Sequence, residues 1–218
     1  DFEVAHVNYH QRKESDGEEE NLRQFCLQND IILHIKRVFN SDVKGNFQAW
    51  ARRERYQFFS EVIQKRRLDV LLTAHHRDDV IETYFMQKRA HRESDYYGIK
   101  SETQLFHMNV IRPLLSFTKS ELLDYCHQQQ VPYAIDQSNL HTKYHRNYVR
   151  HHILSALSEE EKKSIVDNIS QHNQEQSLLN VRLVPLINKQ NEVELSTYAS
   201  LNKSERQRLV FMQYAQVC

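Results

Sequence analysis

The sequence predicts an α/β protein: a parallel sheet with helices on both faces, followed by a partial helical domain. Three observations predict it. In the first half, short apolar runs that read as strands alternate with segments of helical spacing, the repetition that builds right-handed βαβ units. One of these runs, Val70-Leu71-Leu72-Thr73-Ala74, leads directly into His75-His76-Arg77-Asp78-Asp79-Val80-Ile81-Glu82-Thr83. Open α/β sheets gather their functional groups at such strand-to-helix passages. After about Leu157 strand signals are few. Residues 1–157 therefore read as one domain and 158–218 as a second, helical and truncated one.

Taken in order, Val4–Asn8 reads as a strand and Asp16–Gln28 as a helix, with Ser15 and Glu18 at capping-box spacing. Ile31–Val38 alternates like a strand. Phe47–Arg66 places Phe47, Trp50, Tyr56, Phe59 and Ile63 at helical intervals, with Trp50 a core residue. Asp69–Ala74 is a short buried strand and Arg77–Lys88 a helix. Lys88–Glu102 is polar, contains Gly98, and reads as a loop. Leu105–Leu115 is extended. Thr118 with Glu121, Ser158 with Glu161 and Asn202 with Glu205 are three more capping boxes. They open helices over 122–129, toward Leu179, and through Gln216. Tyr133–Ile135 reads as extended and Tyr144–Leu157 as helical.

The chain of 218 residues carries 29 basic and 29 acidic side chains. Zero net charge argues against a protein coated for bulk nucleic-acid binding, while leaving room for a local basic patch. Cys26, Cys126 and Cys218 form no C-x-x-C pair, so no zinc ribbon or iron–sulfur site is suggested, and reduced thiols in a cytoplasmic protein are the simple reading. No apolar run approaches the ~18 residues of a membrane span.

If the helix starts near His75, then His75, Asp79 and Glu82 fall on one face. An imidazole and two carboxylates there suit a metal ion or a metal-nucleotide; a solvated, acid-rich helix start is the alternative. Zinc is disfavoured, because H-x-x-x-D-x-x-E lacks the metalloprotease spacing and no second His or Cys cluster supplies the remaining ligands. Residues 137–158 hold Lys143, Arg146, Arg150 and four histidines without a single acid. Arg146 and Arg150 are i, i+4 and share a helix face. Such a patch suits phosphate recognition, or else packs on an acidic neighbour such as Glu18-Glu19-Glu20. Tyr96, Tyr97 and Phe106 could stack on a base or anchor a loop.

H-H-x-D-D-x-x-E-T after a hydrophobic strand resembles the signature of the tRNA(Ile)-lysidine synthetase family, a branch of the N-type ATP pyrophosphatases. Gly45-Asn46-x-Gln48, Ala51-Arg52-x-x-Arg55-Tyr56, Ile111-Arg112-Pro113-Leu114-Leu115, Asp136-x-Ser138-Asn139 and Arg146-Asn147-x-x-Arg150-His151-x-Ile153-Leu154 follow in the family's order. The resemblance covers about residues 4–155. It implies an adenine nucleotide alpha hydrolase-like, Rossmann-like fold. It also implies ATP with Mg²⁺, a tRNA(Ile) with a CAU anticodon and free L-lysine as partners, no membrane, and often a homodimer. Asp79 and Glu82 would be catalytic and hold the magnesium, His75 would assist them, and Arg55, Arg112, Arg146, Asn147 and Arg150 would bind nucleotide or substrate. A related tRNA thiolase and a non-catalytic RNA-binding fragment are the alternatives; the lack of paired cysteines counts against the thiolase. One departure is large. The family's opening strand and Ser-Gly-Gly-x-Asp-Ser loop have no counterpart, and only three glycines occur. The chain opens at Asp1 with a segment similar to the family's second strand, so the first βα unit is expected to be missing from it. A smaller departure is Tyr9 between Asn8 and His10.

Overall fold

The computed structural model describes residues 2–39, 46–90, 94–133 and 148–215. The chain divides into two compact units, Asp1–His76 with Lys100–Ser138, and Arg77–Ile99 with Asn139–Cys218.

In the first unit β1 (Glu3–Asn8) runs parallel to β2 (Ile32–Arg37), with Glu3 opposite Ile32 and Asn8 opposite Arg37. Helix α1 (Ser15–Gln28) connects them. Helix α2 (Phe47–Arg66) leads to β3 (Val70–Leu72). β4 (Glu102–Leu105) and β5 (Met108–Ile111) form an antiparallel hairpin, and β5 pairs in parallel with β3. The region expected as one extended segment is thus a hairpin, which adds an antiparallel edge to a parallel sheet. Its two-residue turn places Phe106 and His107 at φ 50° and 62°, the left-handed backbone such turns require. The Phe106 ring is stacked on Tyr56 at 5.8 Å, and Ser60 donates to the Phe106 carbonyl.

The core of this unit is made by α2. Trp50 and Ala51 join Val7 and Val38, with Tyr9, Phe47, Phe58 and Phe59 around them. One turn on, Tyr56 meets Met108 and Val110. The Tyr9 hydroxyl donates to the Ala51 carbonyl at 2.6 Å. The five strands lie in two sheets, β1-β2 and β3-β5-β4. A cavity of about 680 Å³ has residues of β1 (Phe2–Ala5) and β3 (Val70–Leu72) among its walls and Tyr56, Phe59, Val62 and Ile63 of α2 beneath.

The second unit is helical. It comprises α3 (Arg77–Arg89), a π-helical turn (Val149–Ile153), α5 (Glu159–Leu183), α6 (Leu195–Ser200) and α7 (Lys203–Ala215); α4 (Lys119–Gln128) belongs to the first. The packing boundary therefore differs from the sequence boundary at residue 157, because α3 joins the later helices. Ile81, fully buried, contacts Val149 and Leu154, with Ile165 and Val166 packed against them. Burial of one such side chain contributes roughly 1.5–3 kcal/mol.

Capping explains where most helices begin. Thr118 with Glu121, Ser158 with Glu161 and Asn202 with Glu205 each form the reciprocal pair of bonds. Ser15 with Glu18 does not. Glu14 already has helical backbone angles, so Ser15 sits inside the first turn and cannot cap it. Residues 96–98 are held by side chains of α3 and α5. Asn173 of α5 accepts from the Tyr97 N–H at 2.8 Å and donates to its carbonyl at 2.9 Å. Gln87 accepts from the Gly98 N–H and donates to the Tyr96 carbonyl. Tyr97 is a buried anchor. No helix among the described residues is long and apolar enough to cross a membrane.

Candidate functional site

Helix α3 has acids in its first turn and Lys88 and Arg89 in its last, which suits the helix dipole at both ends. It starts at Arg77, so His75 precedes it and does not share a helix face with Asp79 and Glu82. Those two carboxylates, three residues apart, do share a face, and both are buried, at 7 % and 1 % exposure.

Among the described residues, Arg150 is a charge that both of them face. Its Nε lies 2.5 Å from Glu82 Oε2 and its Nη2 lies 3.3 Å from Asp79 Oδ1. A planar guanidinium can serve two acceptors at once, which a lysine ammonium does less well. Within the basic stretch, Arg150 thus finds acidic neighbours in α3. A second cation escaped the sequence reading: Lys162, 3.6 Å from Asp78 and 2.9 Å from Glu159. Burial pushes the Lys162 pKa down, but Glu159 and Asp78 outweigh it and the net shift is upward. Ser158 starts α5 three residues before Glu161 and four before Lys162, a register that could have flagged Lys162 as a first-turn residue facing a neighbour.

Glu19 belongs to another cluster. Arg37 holds it by a two-pronged contact, with Asn8 and Arg23 adding bonds. Despite the cost of burial, these donors, Arg37 above all, lower its pKa to about 2. Asn8 also donates to Asp16 and accepts from the His10 N–H, so the Asn-Tyr-His departure ends β1 with a turn locked by Asn8.

In the first unit, His75 and Arg55 both line the 680 Å³ cavity. His75 Nδ1 is 2.9 Å from Thr73 Oγ1. The guanidiniums of Arg52 and Arg55 lie over the buried Tyr56 ring, at 4.8 and 5.7 Å, which limits where they can swing. The cavity offers apolar walls, a cation and an imidazole just beyond the carboxyl end of β3, a combination suited to a base with attached phosphate. Arg112 does not line this cavity. It is buried at 7 %, and its Nη1 donates to the Lys100 carbonyl at 2.8 Å. Arg146 and Asn147, with Asp136, Ser138 and Asn139, lie outside the described residues.

A magnesium ion does not fit Asp79 and Glu82 as they are arranged. Mg²⁺ keeps several waters when one or two carboxylates bind it, whereas the Glu82 side chain is 2 % exposed and already holds a guanidinium. Among the described residues no group of three His, Cys, Asp or Glu side chains could hold a metal.

The model of the PP-loop domain matches residues 1–157. The chain is 37 % identical over 156 residues to a tRNA(Ile)-lysidine synthase of Mycoplasmopsis pulmonis, covering 71 % of this chain and 54 % of that protein. It is 39 % identical over 158 residues to the enzyme of the same name from Mycoplasma pneumoniae, at 72 % and 55 %. For that of Staphylococcus epidermidis the identity is 40 % over 159 residues, at 71 % and 37 %. The chain thus spans about half the length, or less, of these curated relatives. Among solved structures, the U34-tRNA thiolase NcsA of Methanococcus maripaludis with its [4Fe-4S] cluster superposes with a TM-score of 0.56. At 18 % identity, covering 78 % of this chain and 62 % of that one, it shares the fold. Strands, cavity and sequence match agree: the chain belongs to the PP-loop domain family.

Proposed function

We propose that this chain is the ATP-dependent part of a ligase that joins L-lysine to the wobble cytidine of a tRNA(Ile) with a CAU anticodon. The observation that carries the reading is the likeness to tRNA(Ile)-lysidine synthases over nearly the whole first 157 residues. The cavity with Arg55 and His75 supports ATP as the activating substrate.

The chemistry has two displacements. The C2 carbonyl oxygen of the cytidine attacks the α-phosphorus of ATP; a phosphorus–oxygen bond forms, the bond to the bridging oxygen breaks, and pyrophosphate leaves. The lysine side-chain amine then attacks C2, the C2–oxygen bond breaks, and AMP departs carrying that oxygen while the amine loses a proton. Activation is required because a cytosine carbonyl oxygen is a poor leaving group.

This chain's residues supply binding and orientation. Arg55 places positive charge in the cavity where phosphate negative charge would gather. His75, braced by Thr73, offers a second polar contact there. Arg150 and, by sequence, Arg146 and Asn147 belong to the segment that would meet RNA or nucleotide phosphate. Magnesium, the usual companion of ATP, would neutralise charge on the departing pyrophosphate. An enzyme acting on tRNA in this way works in the cytoplasm.

The test is turnover by the full gene product with ATP, L-lysine and a tRNA(Ile) transcript. Equal release of pyrophosphate and AMP, with a lysine-dependent mass increase at the wobble cytidine, is expected. Pyrophosphate release that ignores lysine, or no modification of a CAU anticodon, would refute the reading.

A further inference from the structure

We propose that Arg112 is an anion seat. The edge of its guanidinium formed by Nε and Nη2 takes two oxygens of one carboxylate or phosphate group on a small substrate.

The seat starts from a charge without a counter-charge. Arg112 is buried at 7 % exposure. Among the described residues its guanidinium makes one hydrogen bond, from Nη1 to the Lys100 carbonyl at 2.8 Å. Its Nε is buried and has no acceptor, and no carboxylate among the described residues pairs with it. An arginine does not shed its proton in a protein, and a buried charge left without a partner is costly. Arg208 shows the usual solution in this chain: its side chain is 1 % exposed and it has Asp95 at 2.7 Å. Arg112 lacks such an acid, so the partner that suits it is an anion from outside the chain. Held at Nη1, the group keeps its Nε–Nη2 edge for a two-pronged contact with a pair of oxygens.

The backbone puts this charge where a substrate can use it. β5 ends at Ile111, whose carbonyl accepts from the Thr73 N–H at 3.0 Å, and the Arg112 N–H donates to the Ser101 carbonyl at 2.8 Å. Pro113 follows and biases Arg112 to extended backbone. Arg112 thus stands level with Thr73 at the carboxyl ends of two parallel strands, β3 and β5, where open α/β sheets take their ligands. Thr73 itself lines the cavity that holds Arg55 and His75, and Arg112 is not among that cavity's walls. It adds a separate charge at the same end of the sheet. On the function proposed above, which this step rests on, two small substrates carry a fitting group: L-lysine its α-carboxylate and ATP its phosphates. Arg112 is then a specificity-determining residue for one of them.

The full gene product, labelled with ¹³C and ¹⁵N at arginine, tests the seat. The Arg112 Nε–H resonance, assigned by through-bond transfer in the parent, should move on titration with sodium acetate or sodium phosphate, and at lower concentration with L-lysine or ATP. Calorimetry of R112Q identifies the source. For a carboxylate guest, L-lysine affinity falls about tenfold or more, ATP affinity holds, and the parent's preference for L-lysine over L-lysinamide disappears. For a phosphate guest, ATP affinity falls by as much and L-lysine affinity holds. R112K should recover only part of the loss, because an ammonium cannot fork. A resonance that none of the four ligands moves overturns the proposal, as does an R112Q that binds both substrates as the parent does. If R112Q does not fold, the parent's titrations decide, with L-lysine against L-lysinamide telling carboxylate from phosphate. If acetate or phosphate moves the resonance while the parent binds neither L-lysine nor ATP, the seat stands and the substrate reading fails.

Discussion

Asn173→Ala should be among the costliest polar substitutions in the chain. The Asn173 amide closes a pair of bonds on the backbone of Tyr97, one accepted from its N–H at 2.8 Å and one donated to its carbonyl at 2.9 Å. Both residues are about 8 % exposed, so water cannot take over either bond without a local opening. Alanine removes both partners and leaves two buried backbone groups unsatisfied, each costing about 1–3 kcal/mol. The sum is about 2–6 kcal/mol, a large share of a typical stability of about 5–15 kcal/mol. At about 2–4 °C per kcal/mol for a chain of this size, a mid-range loss near ~3 kcal/mol lowers Tm by about 6–12 °C. Asn173→Asp should also destabilise: its carboxylate still accepts from the N–H but turns a second oxygen onto the Tyr97 carbonyl. Thermal melting by circular dichroism gives the Tm, and amide exchange at Tyr97 gives the local effect. A fall in Tm below 2 °C, or unchanged exchange at Tyr97, would refute the idea that this pair of bonds fastens the segment after α3.

Gly98→Ala should lose about 1–3 kcal/mol, because φ there is +76° and a Cβ would stand 2.7 Å from Val80 Cγ1; chemical denaturation midpoints check it. Glu19 makes an acid-sensitive contribution to stability. Its folded pKa of about 2 lies below the ordinary 4.5, so the contribution is fully present above pH 4.5 and fades as pH falls toward 2. Glu19→Gln should flatten the melting curve's pH dependence in that window, and an unchanged slope would contradict the Arg37 clamp. Arg55→Ala should weaken ATP binding tenfold or more by calorimetry while leaving Tm nearly unchanged, and Arg55→Lys should recover only part of it. Normal ATP affinity in Arg55→Ala would remove the cavity from the nucleotide site.

What was legible in the sequence follows from the range of each signal. Helix α2 was readable to its ends because its aromatic residues repeat at the period of the face they bury. The capping boxes before α4, α5 and α7 were readable because both partners lie within four residues. The same pattern failed at Ser15, since helical backbone already begins at Glu14. The β4–β5 hairpin was hidden for a specific reason: its turn is Phe-His rather than Asn-Gly, and stacking of Phe106 on Tyr56, fifty residues away in sequence, helps hold it. The acid motif stood out at once, yet its partner did not. Arg150 is 68 residues from Glu82, and no local pattern tells a carboxylate facing a distant arginine from one awaiting a metal. Arg112 was chosen through a family motif, and its burial and its bond to the Lys100 carbonyl are visible only in the structure.

The two separate sheets of the first unit have a consequence for how this polypeptide must be handled. One edge of β1 and one edge of β3 carry no strand among the described residues, and both border the same cavity. The N–H and C=O groups along such edges template the addition of any extended chain. The apolar residues there add to the hazard, with Phe2 at 66 % exposure and Leu72 at 57 %. An extended segment that entered between them could hydrogen-bond on both sides at once and turn two short sheets into one continuous sheet. The polypeptide of residues 1–218 is therefore expected to self-associate with concentration, to bind β-sheet-reporting dyes as it does so, and to be protected by short, charged, strand-forming peptides.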